Sequence, residues 1–271
     1  VRAIRRRVFK EVAQLGFKAD ADTLLADMEA IPYAIVNEDS EKYRESVYRA
    51  RAIVRERLRL AMGLSLRPEN KPVHLTAGVE ASNISEKYYE PPLMQVIPSA
   101  CESCEENKYE VSNICKGCLA HPCQEVCPKD AISMVNGRSY IDQEKCIKCG
   151  KCKSVCPYDA IAKKERPCQK ACGVNAIKSD KMGRAYIDNE KCVSCGMCMV
   201  SCPFGAISDK SQIFQLARAL SEGENVIAEI APAFVGQFGD NITPRNIKAA
   251  LRELGFSEVY EVALGADIGA I

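Results

Sequence analysis

Apolar residues recur at helical spacing along the first part of the chain. Between Val1 and Leu15, Ile4, Val8, Val12 and Leu15 form one stripe beside Arg2, Arg5, Arg6, Arg7 and Lys10, the pattern of an amphipathic helix. A shorter segment around Thr23–Ala30 is expected to stop before Pro32, where the helical N–H is missing. A third helix is expected after Ser40 as N-cap, with Tyr43, Val47, Ala50, Val54, Leu58 and Ala61 on one face, until Gly63 ends it. Its other face carries Arg44, Arg51, Arg55 and Arg59 and reads as a solvated face, with partner docking as the alternative. From Leu64 to Pro98 the periodicity fades and Pro68, Pro72, Pro91, Pro92 and Pro98 mark connecting structure, in which His74 reads as an ordinary surface histidine. Near the other end, Ile213–Leu220 is expected to be a short helix and Val226–Ala231 a buried strand. Thr243 caps a helix over Asn246–Leu254 with Pro244 at its first position, and Val259–Ala263 is a second strand. Two parallel strands and one helix do not bury both faces of a sheet, so this β-α-β unit is expected to be the incomplete start of a larger α/β domain.

Between these regions the pattern is governed by cysteine. The stretch Tyr140–Ile161 returns as Tyr186–Ile207, shifted by 46 residues, and each copy carries C-x2-C-x2-C-x3-C-P. With that spacing three thiolates surround one iron–sulfur cube and the fourth ligates a second, so each copy is half of a bacterial ferredoxin. Reading Cys101 to Cys202 as four such halves makes all sixteen cysteines countable. Half I is Cys115, Cys118, Cys123 and Cys127, widened by two residues taken as Ala120 and His121; half II is Cys146, Cys149, Cys152 and Cys156; half III is reduced to Cys168 and Cys172; half IV is Cys192, Cys195, Cys198 and Cys202.

The crossed-ligand rule then assigns one cluster to Cys115, Cys118, Cys123 and Cys156, and a second to Cys146, Cys149, Cys152 and Cys127. It assigns a third to Cys192, Cys195, Cys198 and Cys172, and leaves Cys101, Cys104, Cys168 and Cys202 for a fourth. The pairs Cys101/Cys104 and Cys115/Cys118 are free to exchange partners in this scheme, and His121 is an alternative ligand. Zinc and disulfides are the other readings of so many cysteines. Short hairpins are expected between the clusters, turning at Asn136-Gly137 and at Met182-Gly183, with Ile132, Ile141, Ile161, Ile177, Ile187 and Ile207 as apolar cover.

The expected fold class is therefore α+β. A helical region and linker fills 1–98, tandem bacterial-ferredoxin-like [4Fe-4S] modules fill 99–210, and the incomplete α/β unit fills 211–271. The formal net charge is +1, but four clusters on sixteen thiolates bring the loaded chain to about −7. The lysines and arginines then read as offsets to cluster charge and a dock for an acidic redox partner, not as a nucleic-acid surface. No secretory signal and no apolar run of bilayer length is present in the sequence, so no membrane partner is expected, and because exposed clusters and thiolates oxidise readily an anaerobic, cytoplasmic setting is expected.

The chain resembles the monomeric [FeFe]-hydrogenase family, in the branch with a helical N-terminus and a cysteine-rich electron-transfer module. The resemblance rests on Ala100–Cys104, on Cys115–Pro128, on Arg166-Pro-Cys168-x-x-Ala-Cys172, on Cys202–Ile207, on Ile230-Ala-Pro232 and on Ala263–Asp267. It implies four [4Fe-4S] clusters relaying electrons between soluble ferredoxin and a hydrogen-activating H-cluster, where protons are reversibly reduced to hydrogen. The cysteine motifs that hold that centre in the family are expected beyond this stretch, in a longer parent protein, since no cysteine follows Cys202. No catalytic residue is assigned here, and the partners implied are ferredoxin and the remainder of the catalytic domain. The alternative is a self-standing polyferredoxin-like carrier docking on a separate catalytic polypeptide.

Overall fold

The computed structural model describes residues 1–18, 22–37, 44–82 and 91–270. They form a mixture of helices and small two-stranded sheets in two compact units, Val1–Ser99 with Ser208–Ile271, and Ala100–Ile207. Among the described residues no helix is long and apolar enough to cross a membrane.

In the first unit the stripe of the opening helix, Arg2–Lys18, buries Val8, Val12 and Leu15. That helix packs on Ile213–Ser221, and the close approach falls at Gly16, where a Cβ would stand 2.6 Å from the Cβ of Ala217. The second helix does not stop before Pro32. It runs Leu24–Ile35 with Pro32 inside it. A proline within a helix costs about 3 kcal/mol, and burial of Met28, Ile31 and Ile35 in the core offsets this at about 1.5–3 kcal/mol per large apolar side chain.

The third helix is Val47–Ala61, and its N-cap is Ser46, whose Oγ accepts the Arg49 N–H at 3.5 Å; Ser40 and Tyr43 lie outside the described residues. Its arginine face is not a solvated one. Arg59 is buried and donates to the carbonyls of Ser65, Leu75 and Ala77, and burial lowers its pKa. Arg51 donates to the Val36 carbonyl and stacks over Tyr33. Guanidinium groups thus satisfy carbonyls of the proline-rich connection, which has few backbone partners of its own. His74 is exposed.

The later residues of this unit follow the expected β-α-β order. Strands Ile227–Ile230 and Glu258–Glu261 pair in parallel, with Ile227 opposite Glu258. The helix between them, Pro244–Glu253, starts at a capping box in which Thr243 accepts from the Asn246 N–H. The second strand is shorter than expected, because Val262 and Ala263 open a helix that runs Val262–Gly269. Ile227, Tyr260, Leu264 and Ile268 remain exposed.

The second unit is built from hairpins. Ile132–Val135 pairs antiparallel with Arg138–Ile141 around Asn136 and Gly137, both at positive φ. Ile177–Ser179 pairs with Ala185–Ile187, but across a longer loop than Met182-Gly183 alone. There the Asp180 carboxylate accepts the N–H groups of Met182 and Arg184, at 2.9 and 2.8 Å. A third pair, Lys108–Val111 with Ile161–Lys164, has no clear sequence signal. The six isoleucines expected as cover are all buried.

Candidate iron–sulfur sites

Every cysteine of the chain is a free thiol, and the loops that carry them share one backbone recipe. In the Cys-x-x-Cys that leads each site, the residue before the second cysteine has positive φ: Ser103, Gly117, Lys148 and Ser194. The third residue after the last cysteine of each half does so too. These are Asp130, Asp159, Asn175 and Gly205, drawn from the types that tolerate the left-handed region. The second bend turns the next N–H back on the sulfur. Ala131 donates to Cys127 Sγ at 3.3 Å, Ala160 to Cys156 at 3.4 Å, Ala176 to Cys172 at 3.2 Å and Ala206 to Cys202 at 3.3 Å. Such bonds favour the thiolate and are among the groups that set a cluster's potential.

The fold gathers these thiols across long stretches of sequence. Cys115, Cys118 and Cys123 line one pocket, partly open to solvent, together with Cys156 from the following half. A second pocket is lined by Cys101, Cys104, Cys168 and Cys202. Cys198 is surrounded by Cys192, Cys172 and Cys195, and burial first and these thiols next raise its pKa. Cys152 stands near Cys146 and Cys149 and is likewise raised, chiefly by burial; Cys127 packs with Cys146 against the same apolar cluster as Cys152.

The pair Cys101/Cys104 stands to half III as Cys115/Cys118 stands to half I. The Ser139 N–H holds the Cys115 thiol below its usual pKa. The Ala185 N–H, which occupies the matching place one repeat later, donates to Cys101 Sγ at 3.4 Å. Half I is widened by Leu119 and Ala120, not by Ala120 and His121. His121 has positive φ and precedes the short helix Pro122–Glu125 as Gly150 and Gly196 precede theirs. It is therefore a backbone turn position and is not among the residues that line the Cys115 cavity.

Arg166 is a site residue that sequence reasoning missed. It is only 2% exposed. Its guanidinium donates twice to the Cys104 carbonyl at 3.0 and 2.8 Å, to Gly183 at 2.8 Å and to Lys178 at 3.4 Å. Half III has lost its first two cysteines, and Arg166 ties the replacement pair from upstream to the hairpin. Burial pushes the neighbouring Cys168 thiol up to about 11, against which the Arg166 charge acts. Nothing in its spacing announces a buried arginine that binds carbonyls.

All-thiol donor sets around cavities, with N–H groups aimed at sulfur, fit iron–sulfur clusters. A tetrahedral zinc, with Zn–S near 2.3 Å, would draw its thiolates to about 3.8 Å of one another. Among the described residues no group of three or more His, Cys, Asp or Glu side chains converges on one ion in that way.

Comparison with known proteins agrees with this chemistry. Residues 115–166 match an LdpA Fe-S cluster-binding domain, 185–208 a 4Fe-4S binding domain, and 224–271 the C-terminal domain of the iron only hydrogenase large subunit. An uncharacterized ferredoxin of Methanocaldococcus jannaschii is 33% identical over 99 residues, covering 30% of this chain and 63% of that protein. The electron transport protein HydN of Escherichia coli is 37% identical over 71 residues, covering 26% of this chain and 41% of HydN. A 7Fe ferredoxin of Hydrogenibacillus schlegelii is 43% identical over 53 residues, covering 20% of this chain and 68% of the ferredoxin. The chain therefore spans less than two thirds of the first two. The matches give the chain ferredoxin-like, iron–sulfur-binding domains and a relation to hydrogenases.

Proposed function

The chain belongs to the ferredoxin family through its cysteine-rich unit, and from that premise we propose that it is the electron relay of an [FeFe]-hydrogenase of the monomeric type. Two bacterial-ferredoxin-like modules in tandem would hold four [4Fe-4S] clusters. Their ligands are Cys115, Cys118, Cys123 and Cys156; Cys146, Cys149, Cys152 and Cys127; Cys192, Cys195, Cys198 and Cys172; and Cys101, Cys104, Cys168 and Cys202. Such a cluster takes up and releases one electron at a time. The chain's own residues do the rest: thiolates hold the iron, the alanine N–H groups stabilise charge on sulfur, and the buried isoleucines keep water away.

Electrons would come from a soluble ferredoxin or similar carrier in an anaerobic cytoplasm and pass to an H-cluster in a longer parent protein, where two protons and two electrons give hydrogen. The observation that carries this reading is a ferredoxin-type unit followed by a segment matching the hydrogenase large subunit. The exposed Ile227, Tyr260, Leu264 and Ile268 of that segment supply apolar surface for the remainder of such a domain. The match to HydN favours a second reading, a self-standing carrier docking on a separate catalytic polypeptide.

Iron, sulfide and zinc per chain, followed by hydrogen evolution with reduced ferredoxin, test the proposal. About sixteen irons and no hydrogen from this stretch alone support the relay. Zinc in place of iron overturns it, and hydrogen from these residues alone would place the active site elsewhere. A reading frame that continues past Ile271 into further cysteine motifs supports the hydrogenase, and one that closes there supports the carrier.

A further inference from the structure

The loops Cys146–Cys156 and Cys192–Cys202 are the same loop twice. Lys148 and Ser194 share positive φ at 58° and 55°, as do Gly150 and Gly196 at 81° and 77°. The first cysteine of each donates its N–H to an aspartate carbonyl at 3.0 Å, Cys146 to Asp142 and Cys192 to Asp188. Cys149 and Cys195 are the exposed cysteines of the chain. What differs is the rim. Around Cys149 stand Lys148, Lys151 and Lys153, all exposed; in their places around Cys195 stand Ser194, Met197 and Met199.

Since one backbone serves both rims, holding thiolates in this geometry does not require the lysines. Nor are they there to pair with carboxylates. Lys163, Lys164 and Lys170 in the same unit each meet a glutamate, whereas among the described residues none of the three rim lysines has a carboxylate within ion-pair distance. Three hydrated cations around an exposed cysteine make a local positive field on a chain whose loaded charge is negative. Such a field steers an oppositely charged protein to one face.

We propose that the lysine rim of Lys148, Lys151 and Lys153 docks a small acidic electron-carrier protein, which exchanges its electron with the site of Cys146, Cys149, Cys152 and Cys127. One electron leaves the reduced carrier and one is gained by the site; no bond forms and no proton moves. The apolar rim of Val193, Met197 and Val200 does not take part in this docking. The inference rests on the cluster reading above.

The test uses the full iron-loaded chain under anaerobic conditions and a reduced acidic [2Fe-2S] ferredoxin as donor, with electron transfer followed by stopped-flow absorbance. K148E/K151E/K153E is expected to lower the second-order rate at low ionic strength by about tenfold or more, with the gap closing as salt screens the charges. V193E/V200E, on the matching loop, is expected to stay within about twofold of the unmodified chain. Iron is counted on every sample. An unmodified chain without iron overturns the cluster reading itself, whereas full iron with an unchanged rate in the lysine variant overturns only the docking site. If charge reversal costs iron, K148Q/K151Q/K153Q is read by the same criterion, and a rate of the unmodified chain that is independent of salt also overturns the proposal.

Discussion

Halves I and II of the cysteine-rich unit form their sites from contiguous loops, whereas halves III and IV form theirs with a borrowed one. In the first pair, Cys115-x2-Cys118 precedes Cys123 directly and Gly117 supplies the left-handed turn. In the second, Cys101-x2-Cys104 reaches Cys168 from far upstream, with Ser103 in the turn and Arg166 buried as a clasp. The same backbone device survives in both, down to an N–H from the facing hairpin strand onto the first sulfur. A ferredoxin half can therefore lose its leading loop, provided that another segment brings two thiols to the same place and something holds its carbonyls. Here that something is one guanidinium.

The largest expected effect separates the two pairs at their fourth cysteines. C156S should remove the site lined by Cys115, Cys118 and Cys123, and C202S the site lined by Cys101, Cys104 and Cys168. Each should cost about four irons per chain, read by iron analysis and paramagnetic resonance of the reduced protein. Loss of the Cys146/Cys149/Cys152 signal in C156S would break the crossed arrangement.

A smaller effect is expected from R166Q, which leaves the carbonyls of Cys104, Gly183 and Lys178 with fewer donors at about 1–3 kcal/mol per unsatisfied buried group. Iron should be lost selectively from the borrowed-loop site, and R166K, with its point charge in place of a fork, should recover only part of it. Uniform loss across all sites would mean that Arg166 holds the unit as a whole.

The smallest effect compares equivalent glycines. Both Gly150 and Gly196 have positive φ, which costs a Cβ about 1–2 kcal/mol. At Gly150 that Cβ would also stand 2.5 Å from the Tyr109 hydroxyl, whereas at Gly196 it meets only Met199 at 3.9 Å. G150A should therefore lower the thermal midpoint more than G196A, and equal shifts would show that Tyr109 moves aside freely.

Much of the fold and of the candidate sites is legible in the residue pattern. The apolar stripe of Val8, Val12 and Leu15 is buried as its spacing predicts, and Thr243 caps its helix. The left-handed positions also leave a signal, because Asp130, Asp159, Asn175 and Gly205 recur at one offset from cysteine in residue types that accept positive φ. Read as a row, they predict the N–H bonds to sulfur. Other features escape the local rules because a nonlocal force overrides them. Pro32 sits within a helix because the core buries its neighbours, and Arg59 is inside because distant carbonyls need donors.

By itself the sequence determined the cysteine loops, the hairpins between them and the helical stripes, since each depends on residues a few positions apart whose conformational preferences act locally. Only the tertiary structure decided that Cys101 and Cys104 meet Cys168 and Cys202, that Arg166 is their clasp, and that the third helix turns its arginines to the chain rather than to water. Those outcomes join residues as far apart as Cys101 and Cys202, 101 positions along the chain. At such separations buried polar groups are matched by whichever partner the packed fold brings within reach.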